Sequence, residues 1–360
     1  MSDILIRRAA AMLGGFVVGA CVFSIAGLMP SLTIELDVSD AESAQLVTVF
    51  GLAGALALPL IGRIDPRRLP LIGLVVLAIG NGLSVFAEHF VPLLTSRIVL
   101  GIGAACVVRA GGRGWAGGLA VGVALGAPLA AVIADQAGYR TVFVLLAVLA
   151  AIGAADALLG VPMSTIDRHP IGDPRVLLTA GLKVIFRVGL FAVFTLLTSV
   201  LAAVEGIHGP AVDALFLAFG LGLVTGVLGG RGRGTRAVLL ASGALSAALA
   251  AALPLLHGSM AGTAVVLACW GASAGAADAA MRGVIADPVL DETAGFLGVG
   301  LSGLVGGAVL GTAGPDALPQ VAAGLTVVVV ITAMVGLTSS SRREGHRGPG
   351  ALSTGSQDAR

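Results

Sequence analysis

Charge is what this sequence has least of. Only 11% of its 360 residues are Asp, Glu, Lys or Arg, while 57% are hydrophobic. A water-soluble domain carries about 25% charged residues, so this supply cannot cover a water-facing surface and a soluble globular protein is excluded. The mean hydropathy of +1.01 agrees. Cysteine is also scarce: Cys21, Cys106 and Cys269 are the only three, far apart inside apolar runs. A disulfide framework needs paired, exposed cysteines in an oxidising space, so these read as small buried thiols. The five His all fall at predicted helix ends or in loops. The string GASAG at 271–275 therefore has no base in reach of its serine, and no Cys/His cluster offers a metal site. A P-loop is missing, and the GxGxxG string at 298–303 lacks a strand–turn–helix context. The net charge of +1 gives no reason to expect nucleic acid. The first apolar run is too long for a signal-peptide core and lacks a convincing cleavage site. The chain is expected not to be an enzyme and to hold no cofactor and no metal.

What is present is glycine, 54 residues of it, and a series of long apolar runs. Glycine is frequent in transmembrane helices, where it lets backbones approach closely. A span needs about 20 mostly apolar residues. The runs predict twelve, over 9–32, 43–62, 69–88, 92–110, 115–135, 141–160, 183–205, 211–230, 236–255, 260–281, 293–313 and 318–338. Backbone groups in lipid must be satisfied within the segment, so these are helices. With the N-terminus inside, every Lys and Arg except Arg97 and Arg140 falls in or beside an inner connection. The positive-inside rule then places both termini in the cytoplasm. The turn IGRIDPRRLP at 61–70, with three Arg in ten residues, is one of these inner connections. The outer connection ELDVSDAE at 35–42 has no basic residue, and Ser39 and Glu42 fit a capping box that starts the second span.

The two halves look related. Gly118, Gly122 and Gly126 recur every four residues in the fifth span, and Gly303, Gly307 and Gly311 do so in the eleventh. Phe50-Gly51-Leu52 in the second span is echoed by Phe219-Gly220-Leu221 in the eighth, and each runs on into a basic turn. Six helices repeated in the same orientation predict halves related by an axis along the membrane normal.

With these motifs the sequence resembles the major facilitator superfamily, with the best local match to its drug-efflux and sugar-efflux permeases. FSIAGLMPSLTIEL at 23–36 and the hairpin after it resemble that branch's first hairpin. RIVLGIGAA at 97–105 resembles the fourth-helix Arg/Gly-x-Gly motif. GVALGAP at 122–128 resembles the fifth-helix Gly/Pro motif, and GYRTVF at 138–143 resembles the aromatic-Arg-x-x-Phe next to it. The resemblance implies that Gly62, Asp65, Arg67 and Arg68 belong to a conformational-switch loop between helices 2 and 3, here shortened around Pro66. It implies a motif role for Gly122, Gly126 and Pro128. It also implies export of a small organic molecule by proton antiport.

An ionisable group inside a span is a functional hypothesis by default. Arg97 lies in the outer part of the fourth span and has two readings, a cavity charge engaged in substrate or proton coupling, or a side chain snorkelling to headgroups. Asp278 stands four residues before Arg282, which reads as a helical ion pair, with substrate or proton coupling as its second reading. Glu205 clusters with His208 and Asp213 at the mouth between the seventh and eighth spans, either as solvated loop or as a pH-sensitive gate. Lys183 and Arg187 read as topology anchors at the inner start of the seventh span. Phe191, Phe194 and Trp270 read as an aromatic cavity wall or as lipid-facing packing.

The expectation is an all-α membrane protein of twelve transmembrane helices in two six-helix pseudo-repeat halves. Residues 1–165 form the first half, 166–182 a cytoplasmic central loop, 183–338 the second half and 339–360 a disordered cytoplasmic tail. The expected partners are a small-molecule substrate, protons and the lipid bilayer, without nucleic acid, for a monomer in a bacterial cytoplasmic membrane. A sugar or amino-acid facilitator is the first alternative. A non-transporting membrane sensor or scaffold, kept open by the shortened turn at 61–70, is the second.

Overall fold

The computed structural model describes residues 2–110, 113–158, 173–230, 235–256, 259–285 and 287–336, and these are helical apart from short turns and connections. The tail at 339–360, residues 166–172 of the expected central loop, and Arg231 and Arg233 lie outside the described residues. We label the long helices α1 (Ser2–Leu36), α2 (Gln45–Leu60), α3 (Leu69–Val85), α4 (Phe90–Ala110), α5 (Arg113–Ala137), α6 (Tyr139–Leu158), α7 (Pro174–Thr195), α8 (Pro210–Gly230), α9 (Thr235–Ala252), α10 (Met260–Ile285), α11 (Pro288–Ala313) and α12 (Ala317–Gly336). Among the described residues, 11 segments are helical, long and apolar enough to cross a membrane, and α3 is a shorter apolar helix.

Local chemistry sets where these helices start. The expected capping box is present, with Ser39 Oγ accepting from Glu42 N and Glu42 Oε2 accepting from Ser39 N. Two starts differ from expectation. α7 begins at Pro174 rather than at 183, because the Asp173 carboxylate accepts from Arg175 N and Pro174 is preset for a first helical turn. α11 begins at Pro288 rather than at 293, through the same device: Asp287 Oδ1 accepts from Leu290 N at 2.8 Å. Each Asp-Pro pair extends its helix into polar sequence that a hydropathy reading leaves as connection. α7 ends at Thr195, and a four-residue helix, Leu197–Val200, leads into a π-helical turn at Leu201–Glu205.

The packing recurs along the chain. Among the first six helices α1 packs on α5 and α6, α2 on α4, and α3 on α4 and α6; among the last six, α7 packs on α11 and α12, α8 on α10, and α9 on α10 and α12. The two sets meet where α2 packs on α11 and α5 on α8. Lipid gives helices no hydrophobic drive to associate, so close backbone approach over small residues does the work. A Cβ on Gly51 would lie 2.5 Å from Gly300 Cα, and one on Gly303 would lie 2.6 Å from Thr48 Oγ1.

The glycine stripes thus serve different contacts. Gly118, Gly122 and Gly126 face α1, on the same side of the chain's midpoint, whereas Gly303 and Gly307 face α2 across it, and Gly311 faces open space. The α11 glycines that approach α7 are Gly295, Gly298 and Gly306. Gly51 and Gly220 do correspond, since they meet Gly300 of α11 and Ala124 of α5 respectively. A helix with small residues on two faces shows four-residue spacing on both, so spacing alone does not tell which face meets which neighbour. On Gly122 a Cβ would lie against the Phe16 carbonyl and 2.9 Å from Ala20 N; at Gly117 it would meet nothing within 4 Å. Gly122→Leu is expected to lower stability by about 1–3 kcal/mol, the usual cost of overpacking, and Gly117→Leu by far less. Thermal unfolding of the two variants in detergent compares them.

Candidate functional site

Three helices bring six charges together. α7 carries Lys183 and Arg187 on one face, one turn apart; α10 carries Asp278 and Arg282, likewise one turn apart; the first turns of α11 carry Asp291 and Glu292. Lys183 Nζ donates to Asp291 Oδ1 at 2.5 Å and lies 3.6 Å from Asp278 Oδ1. Arg187 grips Asp278 with both prongs, Nε to Oδ1 at 2.8 Å and a terminal nitrogen to Oδ2 at 3.1 Å. Arg282 spans all three acids, at 3.7 Å from Asp278, 3.3 Å from Asp291 and 3.4 Å from Glu292. The set balances three cations against three carboxylates. Burial differs sharply within it: the Lys183 side chain is 0% exposed and that of Arg282 43%.

This geometry revises the reading of its members. Lys183 is a fully buried ion-pair partner well inside α7, not a boundary anchor. Asp278 is held first by Arg187 across the helix interface, and its i,i+4 contact with Arg282 is the longest of its three. Asp291 and Glu292 are site residues that the sequence does not single out, because ending spans at charges leaves both in a connection.

A cavity of about 180 Å³ adjoins the cluster. Val22 and Phe23 of α1, Trp115 and Val123 of α5, Leu223 of α8 and Phe296 of α11 supply apolar wall, while Arg187, Asp278, Arg282 and Glu292 supply one charged side. Away from the charges the cavity meets aromatic rings. Phe23 packs on Phe191 at 5.0 Å and on Phe194 at 5.3 Å; Phe194 packs on Phe216 and Phe219, and Phe219 on Trp270. Phe191 lines the cavity, and Phe194 and Trp270 are buried in this stack, so none of the three faces lipid. Tilted and edge-to-face rings at these distances attract beyond their simple burial. Further along, Ser199 Oγ donates to Asp40 Oδ2 at 2.6 Å, a side-chain bridge between the two sets of helices.

Arg97 is fully buried but does not line the cavity. Its guanidinium donates to the Cys21 carbonyl of α1 at 2.5 Å and lies 5.1 Å from the centroid of the Phe50 ring of α2. Its Nε and other terminal nitrogen have no hydrogen-bond partner among the described residues. It therefore does not snorkel. Asn81 of α3 donates to Cys21 Sγ at 3.3 Å beside it.

The remaining candidates are dispersed. Asp65 closes its own turn by accepting from Arg67 N at 3.0 Å; Arg67 and Arg68 are exposed, and Gly62 is half-buried. Glu205 is buried in the π-helical turn after α7, away from the cavity. Gly122, Gly126 and Pro128 lie buried in α5.

Apolar helices packed around a cavity with one charged wall define a polytopic helical membrane protein with an internal cavity. The sequence model of the Major Facilitator Superfamily matches residues 11–113. The MFS-type transporter YbcL of Bacillus subtilis is 24% identical over 239 residues, covering 59% of this chain and 61% of the relative, so the chain spans about three fifths of that protein's length. The inner membrane transport protein YdhP of Escherichia coli (strain K12) is 26% identical over 292 residues, 72% of this chain and 75% of YdhP. A chloramphenicol resistance protein of Streptomyces lividans is 26% identical over 241 residues, 58% of this chain and 62% of the relative. The chain is thus similar to the Major Facilitator Superfamily over residues 11–113, and to these transport proteins over longer stretches.

Proposed function

We propose that the protein is a secondary transporter that exports a small organic molecule by proton antiport, with the cavity as its substrate site. The observation that carries this reading is the cavity itself. It lies between the first six and last six helices, apolar on most sides and ionic on one, as expected of a ligand site with few polar groups. In this reading α3 completes twelve crossings, and the two six-helix sets rock about the cavity. The cavity lies toward the end of the bundle that carries Arg63, Arg67, Arg68 and Arg282, which the positive-inside rule assigns to the cytoplasm. The aromatic stack and the Asp40–Ser199 bridge would close the outer side. Export as the direction, and chloramphenicol as the first probe, are suggested by the Streptomyces lividans relative.

The test is uptake into proteoliposomes with and without an imposed pH gradient. Chloramphenicol movement that rises with the gradient is expected; movement at the same rate without one would indicate a facilitator, and none at all in either direction would refute transport of this probe. For topology, reporters fused after Arg68 and after Arg236 should read cytoplasmic and one after Asp40 external. A cytoplasmic signal from the Asp40 fusion would contradict the orientation.

A further inference from the structure

The six-charge cluster holds only one group able to shed a proton at the operating pH without first gaining one. The carboxylates of Asp278, Asp291 and Glu292 are each within 3.4 Å of a cation and serve the cluster as its acceptors. A guanidinium does not deprotonate in proteins, which removes Arg187 and Arg282. Lys183 is left, a compact ammonium whose proton affinity responds readily to its surroundings. It is fully buried and contacts the two carboxylates named above. Of the other elements packed on α7, α10 and α11 add Arg282 and Glu292, α12 carries no charged residue, and α1 carries its charges, Asp3, Arg7, Arg8 and Glu35, near its two ends.

The cavity favours a positive guest. Four aromatic residues, Phe23, Trp115, Phe191 and Phe296, line it, and ring faces attract cations. Arg187 already uses this, its guanidinium carbon lying 6.0 Å from the Phe191 centroid. Asp278 and Glu292 supply carboxylate oxygens to the same space. A monocation bound there would leave the cluster with one uncompensated positive charge in a poorly solvated site, which is costly. Loss of one proton restores the balance.

Resting on the proposed function, we propose that Lys183 is the proton-exchanging group and that its proton leaves when an organic monocation enters the cavity. The Nζ–H bond breaks with its electron pair remaining on nitrogen. Asp278, which lies between Nζ and the cavity, accepts the proton and passes it to cavity water. Departure of the cation reverses the step. The exchange is electroneutral, one cation for one proton.

Benzyltrimethylammonium is the probe, because it is a permanent aromatic cation with no titratable group. Any proton that appears on binding then comes from the protein. The full-length protein in weakly buffered detergent is titrated to saturation while pH is followed with an indicator, so that the ratio of protons to bound cation does not depend on affinity. About one proton per bound cation is expected. Lys183→Arg keeps the charge but cannot release it, and should bring the ratio near zero. The double variant Lys183→Met/Asp291→Asn removes the ion pair while preserving balance, and should do the same if the arginine does not fit. Release at the wild-type ratio in either variant would overturn the proposal, as would binding of the cation to wild type without a proton. If wild type fails to bind the cation yet moves chloramphenicol along a pH gradient, the proposal falls and the transport reading stands.

Discussion

Asp278→Ala is expected to destabilise the protein by about 3–5 kcal/mol, the range for breaking a buried ion pair by removing one partner. The carboxylate serves three cations, and its loss strips Arg187 of both hydrogen bonds. Lys183 would keep only Asp291, and the cluster would carry a net positive charge between α7, α10 and α11. Thermal unfolding in detergent measures the loss. A second variant separates charge balance from chemistry. Asp278→Ala/Arg187→Met restores neutrality by removing the strongest partner, and should recover much of the stability, because contacting residues are non-additive. It should not recover transport, since the cavity loses both its central acid and the cation that competes for it. Wild-type stability in the single variant would mean that the ion network does not hold these helices together.

Arg97→Met should do the opposite, raising stability while lowering transport. Arg97 has no carboxylate within ion-pair range among the described residues, and two of its donor nitrogens are unmet. Burying a cation so incompletely satisfied is unfavourable, and an apolar residue of similar length removes that cost. The compensating losses are one hydrogen bond to the Cys21 carbonyl and the contact with the Phe50 ring. The net gain should be on the order of 1 kcal/mol. A conformation in which Arg97 reaches water would be favoured by the wild-type residue and not by methionine. The variant should therefore rest longer in the present state, with transport falling about tenfold for each 1.4 kcal/mol of bias. Arg97→Lys, which keeps a buried charge, should stay closer to wild type in both respects. A lower melting temperature in Arg97→Met would show that the guanidinium is a structural strut.

Much of the architecture is legible in the sequence because it rests on local signals. Apolar runs of span length mark the helices, and the Ser39–Glu42 cap is visible as four letters. Arg97 stands out as a charge that no topology rule requires, and it is fully buried. The ion cluster stays hidden for a physical reason. Hydropathy ends a span where charge begins, which puts Lys183 at a boundary and Asp291 and Glu292 in a connection. The Asp-Pro caps at 173–174 and 287–288 are the available signal that the helices start earlier. The pairing itself leaves no local trace, since Lys183 and Asp291 are 108 residues apart. The glycine stripes are visible but their neighbours are not, because periodicity names a face and not what it meets. The turn at 61–70 is a connection, as its charges suggest, and within it Asp65 bonds its own backbone.

In the proposed transport cycle the two six-helix sets must separate at the Asp40–Ser199 end for substrate to cross. Cysteines placed at these two positions, whose native side chains touch at 2.6 Å, can be joined by mild oxidation. Cys269 is the exposed native thiol among the described residues, so the background is Cys269→Ser. The decisive measurement is pH-driven probe uptake by proteoliposomes of Asp40→Cys/Ser199→Cys, oxidised and then reduced. Oxidation is expected to stop uptake, and a reductant to restore it in the same preparation. Uptake at the uncrosslinked rate, with the bond shown to be complete, would mean that substrate crosses without this separation and that the rocking cycle is wrong.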